Sequence, residues 1–407
     1  MVAASPVPPA FVARWGRWYR LTNRSLRATS TRTQSRPEYV VLCGLVVVLN
    51  VIGLVMILSA SSVIALVKYH SSWYFFERQV AWTAAAAIMF LIAARLPYRT
   101  WIRAGRSLLG LSILLLVAVL IPHVGTLVQG SRRWLAFGPI RLQPAEIAKV
   151  GLLLAGTELL ARKTDRLRNW TSWRPVFVWT AGLSALVMLE PDLGSTLMLM
   201  LIGIGLLLIA GVNRRALTTL TVLTITATSV LALIEPYRRA RLLTFLHPSA
   251  DPLHNGYQLQ QSLGAISHGG IAGVGLGAGH SKWLTLPNPH TDFIFAVIAE
   301  ETGLIGTLLL IAMFAALAVL GFRIAQHAPD RSGQLLAAGV TIWITGQAII
   351  NIGAVIGVLP ITGIPLPFVS FGGSSLLVTM FATGILANIA NQPQRKQTSP
   401  KKPAVTA

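Results

Sequence analysis

Apolar residues fall in ten long blocks, at about 39–67, 79–97, 104–123, 145–161, 175–190, 193–212, 216–235, 293–321, 334–359 and 374–391. Each block approaches the about 20 residues that a helix needs to cross a bilayer core. The weakest patterns are the fourth, fifth and sixth. "LEPDLGST" (Leu189 to Thr196) divides the fifth from the sixth with punctuation of the kind that reverses a chain. The pattern predicts an all-α polytopic membrane protein with about ten transmembrane helices. Residues 236–291, between spans seven and eight, form one large loop that is not low-complexity and holds five of the eight histidines. Loops of that length are usually functional or disordered, and this composition favours function.

Composition agrees with the pattern. The chain is 54% hydrophobic and 12% charged, against roughly 25% charged in a soluble domain. Cys43 is the only cysteine, so no disulfide can form within the chain and no thiolate metal site can be built. Residues 1–38 carry seven arginines and no apolar run. They read as a basic arm rather than a cleavable signal peptide, and residues 392–407 read as a basic tail. Such segments suit anionic lipid. Between them lies a membrane domain, 39–391.

The net charge of +21 first suggests nucleic acid, but its distribution does not. Cytoplasmic loops of membrane proteins are rich in Lys and Arg. With the N-terminus inside, alternation of the spans puts 24 of the 34 Lys and Arg on the inner side. Both termini are then cytoplasmic, and no nucleic-acid partner is expected. Nine of the 13 acids lie on or near the outer face: Glu77, Glu146, Glu190, Asp192, Glu235, Asp251, Asp292, Glu300 and Glu301. Charge near a membrane is costly and marks function by default, so the working face is the outer one.

Five constellations there carry chemistry, each with a plainer alternative. In "GSRRWLAFGPIRLQPAEIAKV", Arg132, Arg133 and Trp134 could hold an anionic headgroup or simply anchor the interface. Glu146 and Lys149 share a helix face at i,i+3. Glu190 and Asp192 of "EPDLGST" could form an acid/base pair, or Asp192 could cap the sixth span. In "GGIAGVGLGAGHSKW" no strand precedes the glycines, so the nucleotide-loop reading is weak and close packing of a loop on helices is favoured. His290 and Asp292 precede the eighth span, which contains Glu300 and Glu301. No HExxH or cysteine cluster points to a protein-ligated metal. Asp251, in "HPSADPLHNGYQLQQS", is either a turn-former or a catalytic group.

In their order, "GLVMILSASSV", "RRWLAFGPIRLQPAEIAK", "EPDLGST", "EPYRRARLLTFLHPSADPLHNGYQLQQS", "GVGLG", "HTDFIFAVIAEETG" and "NIGAVIGVLPITGIPLPFVSFGGSSLL" resemble the SEDS family. These are the FtsW/RodA-type membrane proteins of bacterial cell-wall synthesis. "MILSASS", "IEPYRRAR" and "GVGLGAGHSK" look more like the division (FtsW) branch than the elongation (RodA) branch. Asn288 stands where the family usually has Glu. The resemblance implies a peptidoglycan glycosyltransferase that polymerises lipid II outside the cytoplasmic membrane, at the division septum. It implies Asp251 as the essential loop carboxylate and Lys149 as its partner, in an inverting displacement with undecaprenyl diphosphate as leaving group. Substrate contacts are expected from Glu146, Arg132, Arg133, Trp134, Arg241, Gln258, Ser262, His290 and Asp292. A divalent cation, Mg or Mn, held mainly by the substrate pyrophosphate, is compatible with this chemistry. The implied partners are lipid II, undecaprenyl-diphosphate-linked glycan, a class B penicillin-binding protein and other divisome membrane proteins. The rival expectations are a lipid II flippase and an elongation role.

Overall fold

A computed structural model describes residues 36–128, 131–138, 140–164, 167, 169–234, 256–283, 286–287 and 289–392. Asp251, Arg241 and Asn288, like the basic arm up to residue 35 and the tail from 393, lie outside the described residues.

All ten predicted spans are helices. They are α1 (Arg36–Tyr69), α2 (Tyr74–Arg95), α3 (Tyr98–Leu120), α4 (Pro144–Arg162), α5 (Trp170–Leu189), α6 (Leu193–Ala210) and α7 (Arg214–Ile234). After α8 (Tyr257–Gly269), a short helix in the large loop, come α9 (Ile294–Gln326), α10 (Arg331–Val355) and α11 (Gly373–Ala390). Eight of them are long and apolar enough to cross a membrane. Among the other predicted spans, α4 is not. α4 carries Glu146, Lys149, Glu158 and Arg162, yet 16 of its 19 residues are buried. It packs against α3, α5, α6, α10 and α11. A helix wrapped by other helices is not selected for contact with lipid, so it can hold charge where a lipid-facing helix cannot.

The all-α membrane fold carries one small sheet in addition. The segment between α3 and α4 is a three-stranded antiparallel sheet, β1 (Gly125–Val128), β2 (Ser131–Phe137) and β3 (Ile140–Leu142). Gly125 pairs with Leu135, and Leu135 pairs with Leu142. These strands of three to seven residues are too short for alternation to announce them.

Antiparallel traversal brings the sheet, the α5–α6 turn, α8 and the loop 356–372 to one end of the bundle. The opposite end is closed by caps. Asp330 caps α10 through Gly333 N–H (2.7 Å) and pairs with Arg99 (2.8 Å). Burial alone would raise the Asp330 carboxyl, but these donors hold it below its ordinary value. Arg331 donates to the last carbonyls of α6, Ile209 (3.0 Å) and Ala210 (2.8 Å).

α9 is broken at Gly303, where φ is 66° and ψ is −164°. The glycine-rich loop fills the break. Glu300 and Glu301 carbonyls accept from Val274 and Gly275 N–H (3.0 Å each), while Leu304 and Ile305 N–H donate to Gly270 (3.0 Å) and Ile271 (3.3 Å) carbonyls. Four backbone groups freed by the break thus find partners, as a low-dielectric setting requires. The close-packing reading of the glycines is the one the backbone adopts. Since that φ/ψ region is open essentially to glycine alone, Gly303→Ala should destabilise the protein by about 1–3 kcal/mol. Thermal unfolding in detergent measures this, and an unchanged midpoint would contradict the broken-helix geometry.

Candidate active site

α4 carries a deeply buried ion pair. Lys149 is 1% exposed and Glu146 is 3% exposed. Pro144 at the first helical position starts α4 and sets Glu146 in its first turn, one turn before Lys149. The Lys149 Nζ lies 2.8 Å from each carboxylate oxygen of Glu146. Beyond this ion-pair contact, Glu146 Oε2 has no hydrogen-bond partner among the described residues. Such a pair is costly to bury and does not by itself argue for stability.

Helix α10 completes the surroundings of the lysine with residues the sequence reading missed. The Trp343 ring centroid is 5.1 Å from Nζ, within cation–π range. The Gln347 Oε1 accepts from Trp343 Nε1 (3.0 Å) and lies 3.4 Å from Lys149 Nζ. Its Nε2 donates to Pro365 O (2.9 Å). One turn on, Asn351 Nδ2 donates to Ile364 O (2.7 Å) and Asp292 O (2.9 Å). Another turn on, Val355 O accepts from Ser262 Oγ of α8 (2.8 Å). Residues 343, 347, 351 and 355 recur at i,i+4 and so form one stripe. That stripe gathers α4, the loop 356–372, the start of α9 and α8. The signal that could have found Gln347 and Asn351 is present in "WITGQAIIN": two amides in an otherwise apolar span, where polar groups are expensive.

His290 and Asp292 enter through this network. The N-cap of α9 is Phe293, so Asp292 lies one residue outside the position expected for a cap. Its carboxylate is beside Gly363 of the loop. His290 is 8% exposed and packs on Phe75 and Phe371, with ring centroids 4.4 and 5.6 Å away. Burial, with help from the Lys68 charge, lowers its pKa to about 4, so it is neutral at physiological pH. Ser262 is fully buried, and half-buried Gln258 shares its face of α8 one turn earlier.

The sheet sits over the α5–α6 turn. Arg133 Nε donates to Glu190 O (3.1 Å) and its Nη2 to Pro191 O, so this guanidinium is tied to backbone. Arg132 and Trp134, on the same strand, are half-buried. Asp192 is the N-cap of α6. It accepts from Ser195 N–H (2.9 Å), Ser195 Oγ (2.8 Å) and Gln143 Nε2 (3.0 Å). Capping is therefore what Asp192 does. Glu190 is 1% exposed, and neither carboxylate oxygen has a hydrogen-bond partner among the described residues. Burial first, then the Asp192 charge, raise its pKa to about 9 against the pull of Arg133. Glu190 is a neutral acid, not one half of an ionised pair.

Glu300 and Glu301 belong to a separate buried cluster. Glu300 accepts from His280 N–H (2.8 Å), Ser281 N–H (3.1 Å) and Ser281 Oγ. Glu301 accepts from Ser59 Oγ (2.6 Å) and pairs with buried Lys282 (3.4 Å). This cluster clamps the glycine-rich loop to α1 and α9. Among the described residues no three His, Cys, Asp or Glu side chains converge.

A carboxyl neutral in the fold and ionised in the unfolded chain makes stability fall as pH rises between the two pKa values. For Glu190 the window runs from the ordinary carboxylate range to about 9. Glu190→Gln should keep the fold and lose that dependence. Its unfolding free energy should gain on wild type progressively from pH 5 to pH 9, by up to about 1.4 kcal/mol per unit, seen as a rising difference in thermal midpoint. Parallel pH curves for the two proteins would refute the neutral-acid assignment.

The family profile covering FtsW, RodA and SpoVE, described as cell cycle protein, matches residues 40–395. The probable peptidoglycan glycosyltransferase FtsW of Geobacter metallireducens is 40% identical over 347 residues, 85% of this chain and 92% of that protein. Stage V sporulation protein E of Bacillus subtilis is 38% identical over 364 residues, 88% of this chain and 98% of that protein. A solved chain from work on structural coordination of polymerization and crosslinking by a peptidoglycan synthase complex is 30% identical, with a TM-score of 0.71. The match covers 86% of this chain and 96% of that one. By sequence and by fold, the chain with the buried Lys149–Glu146 pair belongs to the FtsW/RodA/SpoVE family.

Proposed function

We propose that this chain is a peptidoglycan glycosyltransferase that polymerises lipid II on the outer face of the cytoplasmic membrane, in septal synthesis during division. The observation that carries the reading is the ion pair of α4, buried beneath the end of the bundle where the large loop, the sheet and the loop 356–372 meet. The names of the relatives in the same family support the activity. Both termini are then cytoplasmic, in accord with the arginine bias. A class B penicillin-binding protein and other divisome membrane proteins are the partners. The family's synthase-complex likeness supports the first of these.

In the reaction a sugar hydroxyl attacks the anomeric carbon of the donor. The new glycosidic C–O bond forms as the bond to the lipid diphosphate breaks, and its electron pair leaves with undecaprenyl diphosphate. Asp251 takes the hydroxyl proton, since an alcohol needs a base as the bond forms. A single carboxylate without a nucleophilic partner suits an inverting displacement. Lys149 supplies the positive charge that keeps and orients the Asp251 carboxylate. Glu146 already neutralises much of that charge at 2.8 Å, so Asp251 can approach without being drawn into a pair that would cost its basicity. Negative charge on the leaving diphosphate calls for cations. Arg132 and Arg241 serve there, whereas Arg133 positions the sheet through the turn carbonyls.

One observation favours a transporter instead. α9 is a broken helix, and broken helices mark transport sites. Here the break is filled by the chain's own loop.

The deciding assay uses the purified chain, a class B penicillin-binding protein where required, and labelled lipid II in detergent. Wild type should make glycan. Asp251→Ala should lower the rate at least about 100-fold while keeping the wild-type elution profile, and Lys149→Met should lower it as far with a cost in stability from the stranded Glu146. Wild-type polymerisation by the Asp251→Ala chain would remove the proposed base. Lipid translocation in liposomes that survives this change, with no polymer under any condition, would favour the transporter.

A further inference from the structure

The side chain of Gln347 is fully buried, and its orientation is unambiguous. Its two polar neighbours on one side, Trp343 Nε1 (3.0 Å) and Lys149 Nζ (3.4 Å), can only donate. Its neighbour on the other side, Pro365 O (2.9 Å), can only accept. The amide oxygen must therefore face the lysine and the amide nitrogen the loop. No flipped form satisfies either side. The Lys149 ammonium is thus surrounded by one carboxylate, one amide dipole and one aromatic face, the groups that replace water around a buried cation.

We infer that Gln347 is a positioning residue for Lys149, and that through Pro365 it fixes the distance between the lysine and the loop 356–372 that borders Asp292. The inference rests on the enzyme reading above. The geometry separates it from a general packing role. Asn351, one turn along the same stripe, holds the adjacent loop carbonyl of Ile364 (2.7 Å) and Asp292 O (2.9 Å), one helical turn farther from Lys149. Among the described residues, Gln347 joins the loop to the ammonium through hydrogen bonds to both. Displacing a reacting group by about 1 Å can lower a rate about 100-fold, so loss of this tie should appear in kcat.

Gln347→Met keeps the length and removes every hydrogen bond. With lipid II as substrate, its kcat should fall about 10- to 100-fold, with KM within about threefold. Asn351→Leu loosens the same loop without touching Lys149. It should mainly raise KM and leave kcat within about threefold. Trp343→Phe keeps an aromatic face but removes the donor to Gln347 and part of the ring volume, and should lower kcat in the same direction. Thermal midpoints measured alongside show that each chain is folded. A Gln347→Met kcat within twofold of wild type overturns the inference while leaving the enzyme reading intact. So does an equal fall in kcat for Gln347→Met and Asn351→Leu. If wild type itself makes no glycan, the enzyme reading fails and the inference falls with it.

Discussion

A lysine sealed inside a helical bundle must be solvated by the protein, and that requirement organises the site end of this molecule. Lys149 sits on α4, a helix packed on nearly all sides by others. Its ammonium is met by Glu146 from its own helix and by Trp343 and Gln347 from α10. Breaking such a set by removing one member leaves an uncompensated charge and is expected to cost about 3–5 kcal/mol. The interaction therefore locks the mutual height of α4 and α10. Everything further along the α10 stripe inherits that register: the loop carbonyls at Ile364 and Pro365, the start of α9 at Asp292, and α8 through Ser262.

The two ends of the bundle use polar groups differently. At the far end, Asp330, Arg331 and Asn388 complete helix termini, with Asn388 serving both Ala94 O (2.7 Å) and Tyr98 N–H (3.0 Å). Those bonds finish the scaffold. At the site end the backbone itself is irregular. α9 is broken at Gly303, and Phe368 holds φ at 65° within the loop 356–372, a region unfavourable for a bulky residue. Among the described residues, both Glu190 oxygens, His290 Nδ1 and Thr362 Oγ1 at this end take no hydrogen bond.

Much of this was legible in the sequence, and the gaps have physical causes. All ten spans were visible because lipid demands length and apolarity together. α4 was visible despite four charges because its remaining residues are small or aliphatic. The sheet was not, since strands of three to seven residues leave no period to count. Lys149, Glu146 and the polar residues of the large loop stood out because charge is rare here. Arg133 stood out equally, yet it serves the α5–α6 turn, a role that sequence spacing cannot reveal. Asp192 carried its capping role in its position before a helix. Gln347 and Trp343 escaped because uncharged residues in an apolar span draw little notice, although burying an amide is itself a strong statement. The clamp of Lys282 on Glu301 escaped for a different reason: it joins a loop to a helix interior, and nothing in local spacing foretells the contact.

The central claim is that the buried pair on α4 is kept for chemistry rather than stability. The most direct test replaces both charges at once, in Glu146→Leu/Lys149→Met, and measures unfolding and glycan synthesis on the same preparation. Replacing a buried ion pair with apolar groups of similar size is often neutral or stabilising. The account predicts a thermal midpoint within a few degrees of wild type, as little net ion-pair stability is lost, together with no glycan polymer. A double variant that still polymerises lipid II at a rate near wild type would contradict it.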